Sequence, residues 1–599
     1  MARDLARPYN AGMTTALRIP GLEKIASWLL FAAVALAPLP FGSSQPAAVA
    51  VWCIVLGLAV AIAPTHRLRA PHLKLLGCAA VVVAAYAVVL HEQLAAHPWF
   101  SPHPLWSIAS DALGTQLDLS ISIARHEPYF ALGQPLVCML ALISGFVVCL
   151  DRGRARTLLW VLAWSGVAYA LYGVAAHLID PTKILWRDKS AYVANVTATF
   201  INRNTAAVYF GSCAVVCLML LCDRVRQDLP REPIAWRKLA NELTSDTPRD
   251  VIVLFALLFG CLLPTFMSGS RAGVILTLMA LVVSFAVYFR SDLPRRSDIA
   301  AAVLGAGALA VILLQLMGGN VNARFDAQGI GDEGRVAVWR TTLRMIAEHP
   351  WFGTGQGTFA WSFPSYRPSD LSMWGIWDHA HDTLLEIASD MGLPLAVLVT
   401  IGWLIIFAVL LHGIRVRRRD LLIPISAFAV AMVAVLHSLI DFSLQIPGYS
   451  IPAFALIGAG LAQSFTSERA RASPEATTLQ RSPNLVPSEA YREAIEEAAL
   501  MLLSVLRDRA QSEVSTQLLD AARRLNNGAH EGRQFQRKNV RTVFADVAKR
   551  AAEIRRIEMG GVPAGDDLEA EMARALHRLL ASVEDVFLVD EEEGGNDKR

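Results

Sequence analysis

The chain has 599 residues, of which 54% are hydrophobic and only 18% charged, with a mean hydropathy of +0.41. A soluble domain carries roughly 25% charge, so the balance excludes a water-soluble enzyme of this size. A formal net charge of +2 lends no support to nucleic-acid binding, because the charges are sorted loop by loop.

In chain order, the apolar residues come in runs of roughly 18 or more, the length an α-helix needs to cross about 30 Å of hydrocarbon. Such runs must be helical, since lipid offers no partner to an unpaired backbone N–H or C=O. The expected spans are 25–41, 47–63, 73–90, 134–150, 157–178, 204–222, 250–267, 272–289, 299–317, 393–411, 421–440 and 450–467. The expected fold class is all-α: a polytopic transmembrane bundle of about 12 spans. Arg3, Arg7 and Arg18 before the run from Ile25 imitate a signal peptide. A second full run follows almost at once, so the first is read as a retained helix behind a cytoplasmic segment 1–24. The eight cysteines all lie in or beside apolar runs and none forms a CxxC pair. They read as small helix-packing residues.

Lys and Arg concentrate in the short loops 64–72, 151–156, 223–249, 290–298 and 412–420, which fall on one side when the spans are counted. The positive-inside bias makes that side, and both termini, cytoplasmic. The other face carries the loops 91–133, 179–203, 268–271, 318–392 and 441–449, several of them long enough to build something. Trp99, Trp106, Trp186, Trp351, Trp361, Trp374 and Trp377 lie there. Any one of them is ordinary interfacial anchoring, but the cluster in 351–377 is dense enough for a ligand groove. A Pro/Ser linker occupies 468–488, and 489–599 has the periodicity of a small helical cytoplasmic domain. Its default role is a scaffold or regulatory contact with another protein.

The outer ends of the spans gather the residues that can do chemistry. An arginine at the membrane boundary is costly unless paired or solvated, although snorkelling to the headgroups accounts for many. In FINRNTAA, Arg203 stands between Asn202 and Asn204, two amides able to orient a guanidinium towards a sugar or phosphate. In SGSRAG, Ser268, Ser270 and Arg271 open a helix, where free N–H groups and the dipole favour an anion. GRVAVWRTTLRMIAEHP reads as an amphipathic helix carrying Arg335, Arg340 and Arg344, and the glycines of the following WFGTGQGTF let backbone amides approach a ligand. WDHAHDTLLEIASDMGLP places His379 and His381 beside Asp378 and Asp382. A zinc site there lacks a credible third and fourth ligand. In LHSLIDFSLQIPGYS, His437 and Asp441 are four apart on one helix face, within hydrogen-bonding reach of each other. A structural polar pair is the competing reading.

The order FINRN, SGSRAG, GR…W…P..G.G…F, HAHDTLLE……MGLP and HSLIDFSLQIP resembles the O-antigen ligase and polymerase family of bacterial inner-membrane proteins. The resemblance covers roughly 20–467, is most specific over 331–450, and leaves the tail outside. It implies a metal-independent, cofactor-free glycosyltransferase of the GT-C type, embedded as a multi-pass protein in the inner membrane. The donor would be an undecaprenyl-pyrophosphate-linked glycan, and the acceptor a sugar hydroxyl on lipid A-core or on a growing polysaccharide. By resemblance, Arg203 and Arg271, and then Arg335 or Arg340, bind pyrophosphate, while His381 is the catalytic histidine. The family's pattern is H-x-H-N, whereas here Asp382 follows His381. A neighbouring carboxylate can strengthen a histidine as a base. The competing class, a transporter or flippase of lipid-linked saccharides, calls for internal repeats and polar groups at the bilayer midplane. No clear repeat is visible, and the polar groups cluster at the outer ends.

Overall fold

The computed structural model describes residues 20–228, 248–290, 305, 333–369, 371, 376–417 and 420–465. Contacts divide the chain into Met1–Thr466 and Ser467–Arg599, and every described residue lies in the first unit. The expected span 299–317 (Gly305 apart), Trp374, the linker 468–488 and the tail 489–599 fall outside the described residues.

α1 (Pro20–Leu36), α2 (Pro46–Ala61) and α3 (Ala70–Leu94) are followed by the short α4 (Leu105–Leu113) and α5 (Glu127–Ala131). Next come α6 (Gly133–Val148), α7 (Arg152–Ile179), α8 (Arg203–Asp228), α9 (Arg249–Met267) and α10 (Arg271–Tyr288). α11 (Glu333–Glu348), α12 (Phe359–Tyr366) and α13 (Thr383–Met391) build the long loop, and α14 (Leu393–Val416), α15 (Leu422–Ser438) and α16 (Pro447–Ala462) complete the order. One antiparallel hairpin, β1 (Lys183–Ile184) with β2 (Arg187–Asp188), interrupts the otherwise helical pattern between α7 and α8.

Among the described residues, seven helices have the length and apolarity to cross a membrane: α3, the α5–α6 run, α7, α8, α9, α10 and α14. The protein is therefore a multi-pass membrane protein. α1, α2, α15 and α16 have 16 or 17 residues, about 25 Å at the usual helical rise. Among the described residues, the expected count of about 12 becomes seven helices of spanning length and four shorter ones.

α8 is apolar on every face and sits at the centre, packed by α7, α9, α10 and α15. Its apolar window is 89% buried, against 0% for α3, which lies at the rim. Small residues let the helices approach closely. A Cβ on Gly211 of α8 would sit 1.9 Å from Thr277 Oγ1 of α10, and one on Gly273 would sit 2.5 Å from Ala207 Cβ. That close packing brings the N-termini of α8 and α10 side by side.

At the opposite end, the arginines that open α7 are ion-paired. Arg154 reaches Glu23 of α1 at 2.6 Å, and Arg156 pairs with Asp420 at 3.0 Å and with Asp223 of α8. Arg152 also pairs with Asp420. The basic segment thus ties α1, α7, α8 and the start of α15 together at one end, leaving the starts of α8 and α10 at the other.

The glycine-rich turn does not form a cradle. Gly353, Gly355 and Gly357 all have positive φ, and the turn wraps the C-terminal end of α13. The amides of Thr354 and Gly355 donate to the carbonyls of Ser389 and Asp390. Gln356 N donates to Gln93 Oε1 at 2.9 Å and Gly357 N to Asp390 Oδ2 at 2.9 Å. Amides spent on protein acceptors have nothing left for a ligand, so the glycines serve the fold of the loop.

Candidate active site

Two helix starts form the base of the site. The Oδ1 of Asn202 accepts the N–H of Asn204 at 2.7 Å and its carbonyl accepts the N–H of Ala206, so Asn202 caps α8. Ser270 caps α10, its hydroxyl accepting the N–H of Gly273 at 3.3 Å after a turn through Gly269 at φ 67°. Arg203 and Arg271 are therefore each the first residue of a helix, where unpaired N–H groups and the dipole add positive potential.

Arg203 lies 4.7 Å over the ring of Tyr192 and donates from Nη1 to Asn195 Oδ1 at 3.1 Å. The close packing of α8 on α10 sets Arg203 and Arg271, at their two starts, at the same end of the bundle. Arg335, on the first turn of α11, donates to the carbonyl of Ile440 and stands 3.4 Å from Asp441 Oδ2. Arg340 is exposed. Five residues along a helix it points about 140° away from Arg335, and the cluster does not include it.

Asp441 is the buried hub. Asn204 Nδ2 donates to its Oδ2, and the N–H of Phe442 donates to its Oδ1 at 2.8 Å. Burial alone would raise its pKa. Contact with His381 and the charges of His437 and Arg335 override that and hold the carboxylate well below the usual range. His381 Nδ1 is 3.6 Å from Asp441 Oδ1, an electrostatic contact just beyond hydrogen-bond length. The His381 ring is edge-on to Trp377 and Phe442, and its backbone has a φ of 53°.

Several expected contacts fall elsewhere. The amides of Asn202 and Asn204 do not hold Arg203; one caps a helix, the other holds Asp441, and the distant Asn195 takes the guanidinium. Asp382 does not turn towards His381. Its Oδ1 accepts from Leu384 N at 2.9 Å and Leu385 N at 3.0 Å, capping α13. Burial raises its carboxyl pKa, aided by Glu386 and opposed by those two N–H groups. The Asp-before-helix pattern could have revealed this cap. The carboxylate facing His381 is Asp441, supplied from the segment between α15 and α16. The buried His437 makes no side-chain bond to Asp441. α15 ends at Ser438, and the link between the two residues is a backbone bond, the Asp441 N–H donating to the His437 carbonyl at 2.9 Å. His379 pairs through Nδ1 with Glu386 Oε1 at 2.9 Å. Burial would lower its pKa, but the Glu386 carboxylate prevails and raises it to about 9. Asn195 and Tyr192 lay in no motif that pointed to them, and Glu386 and Phe442 stood inside HAHDTLLE and HSLIDFSLQIP without being singled out.

Residues 254–400 match the family model described as O-antigen ligase. That match supports an assignment to the O-antigen ligase family. The matched stretch includes Arg271, Arg335, His379 and His381, whereas Arg203, His437 and Asp441 lie outside it and meet it only in space. The match supports membrane glycan processing of the O-antigen ligase or polymerase type. No curated protein matches the chain.

Proposed function

We propose that this end of the bundle is the periplasmic active site of an inner-membrane glycosyltransferase whose termini, with the tail 489–599, lie in the cytoplasm. The donor is a glycan on undecaprenyl pyrophosphate, and the acceptor is a sugar hydroxyl of lipid A-core or of a growing polysaccharide. One observation carries the reading: Arg335 and His381 share a buried carboxylate, Asp441, that is also held by Asn204 on the helix start carrying Arg203.

The anomeric carbon of such a donor already bears a good leaving group. Arg203 and Arg271 hold the pyrophosphate oxygens as charged forks, and Arg335 adds positive charge as the bond to the anomeric carbon breaks. This assigns the leaving-group charge to guanidinium groups and helix starts in place of a metal. His381 presents Nδ1 to Asp441, which leaves Nε2 to take the proton of the attacking hydroxyl, a division of labour familiar from catalytic triads. The loose 3.6 Å contact shortens as the imidazole gains charge. Attack from the face opposite the pyrophosphate inverts the anomeric centre.

His381→Ala in the purified protein tests this reading. Transfer from lipid-linked glycan extracted from host membranes stops, while the donor still binds. Near-normal turnover in that variant would overturn the assignment.

A further inference from the structure

His381 holds a left-handed backbone conformation, with φ 53°, that an L-residue with a Cβ adopts only when its surroundings impose it. The residues before it show what imposes it. Glu386, one turn into α13 and 12% exposed, divides its two oxygens between them: Oε1 lies 2.9 Å from His379 Nδ1, and Oε2 accepts the N–H of Ala380 at 2.8 Å. Ala380 is fully buried. The His379 ring stacks on Phe442 at 4.2 Å, and Phe442 in turn meets His381 at 5.1 Å.

We propose that Glu386 is a positioning residue, gripping the 379–380 turn so that the His381 ring is delivered to Asp441. The carboxylate touches neither His381 nor any reacting atom; it acts through the backbone. Its two acceptor oxygens match one side chain and one N–H, so loss of the grip frees the turn to relax to an ordinary negative φ. The ring would then swing away from Asp441 without disturbing the arginines that bind the donor. The kinetic part of the inference rests on the transfer reading above, and the positional part does not.

Two variants separate grip from charge. Glu386→Gln keeps an oxygen for the Ala380 N–H and offers its NH2 to His379 Nδ1, whereas Glu386→Ala keeps neither. With lipid-linked glycan from host membranes as donor, Glu386→Ala should lose at least about tenfold in kcat, as small misplacements of reacting groups do, with KM unchanged. Glu386→Gln should retain most of kcat. Independently of transfer, diethyl pyrocarbonate labelling read by mass spectrometry should modify His381 several-fold faster in Glu386→Ala than in the wild type or Glu386→Gln. If Glu386→Ala does not accumulate, Glu386→Asp, too short to reach both partners, replaces it in both assays. Equal kcat losses in the Gln and Ala variants, a rise in KM alone, or unchanged His381 labelling would overturn the proposal. A wild type that transfers nothing would refute the transfer reading, and the labelling would still decide the grip.

Discussion

Asn204, on the first turn of α8, donates its side-chain amide to Asp441, which lies beyond the end of α15 and is more than 200 residues away in sequence. The bond aims one oxygen of a buried carboxylate at Asn204 and Arg335 and leaves the other to His381. The helix carrying Arg203 thus also fixes the group that faces the histidine.

Asp441→Asn should therefore disable the chemistry more than the fold. The amide keeps an oxygen for the Phe442 N–H but loses the charge that steadies an imidazolium. We expect kcat to fall by about 10²–10⁴, in line with the removal of a triad carboxylate. Donor binding should persist, as measured on purified protein in nanodiscs.

The arginines should differ from one another. Arg271→Lys should lose most activity, because a point charge cannot replace a fork at a phosphate. Arg340→Ala should stay near wild type, since Arg340 is exposed and faces away from Arg335. Initial transfer rates of the two variants, side by side, check this.

A pH dependence is expected where the segment between α3 and α4 meets the end of α11. His103 Nδ1 accepts the N–H of Leu105, so its Nε2 carries the proton and donates to His349 Nε2 at 3.1 Å. His349 must be neutral to accept this bond, and His103 must be neutral to accept the Leu105 N–H. Burial, with His349 adding to it, lowers His103 to about 4, and burial also lowers His349 against the pull of Glu348. The unfolded histidines titrate near 6.5, so between that pH and about 4 the unfolded chain binds more protons than the folded one, and stability falls as pH falls. Hydrogen exchange should show residues 97–123 and 349–357 losing protection from pH 7.5 to 5. A flat profile would refute the bond.

The crossing of α6 and α16 should be intolerant of a single methyl group. A Cβ on Gly145 would lie 2.2 Å from the carbonyl oxygen of Ala455, whereas one on Gly57 meets nothing within 4 Å. Gly145→Ala should cost about 1–3 kcal/mol, as overpacking does, and Gly57→Ala should be neutral. Thermal unfolding in detergent distinguishes them.

Much of this protein was legible in the sequence alone. Lipid leaves backbone groups no partner, so apolar runs had to become helices, and the seven long ones lie where the runs lie. Cost drew attention to Arg203, Arg271 and Arg335, because charge at the rim of a bilayer needs a reason. What surrounds those residues was decided in three dimensions. Asp382 adjoins His381 in sequence, yet the orphan amides of α13 claim its carboxylate as a cap, and the role passes to Asp441. Asn204 adjoins Arg203 and binds elsewhere, while Asn195 crosses a loop to reach it. The glycines of 353–357 close around α13 and leave no amide for a ligand. Sequence patterns report what each residue can offer its near neighbours. A buried carboxylate or amide is satisfied by whichever partner packing brings within 3 Å, and only the packing of α8 against α10 and α15 determined which partner that was.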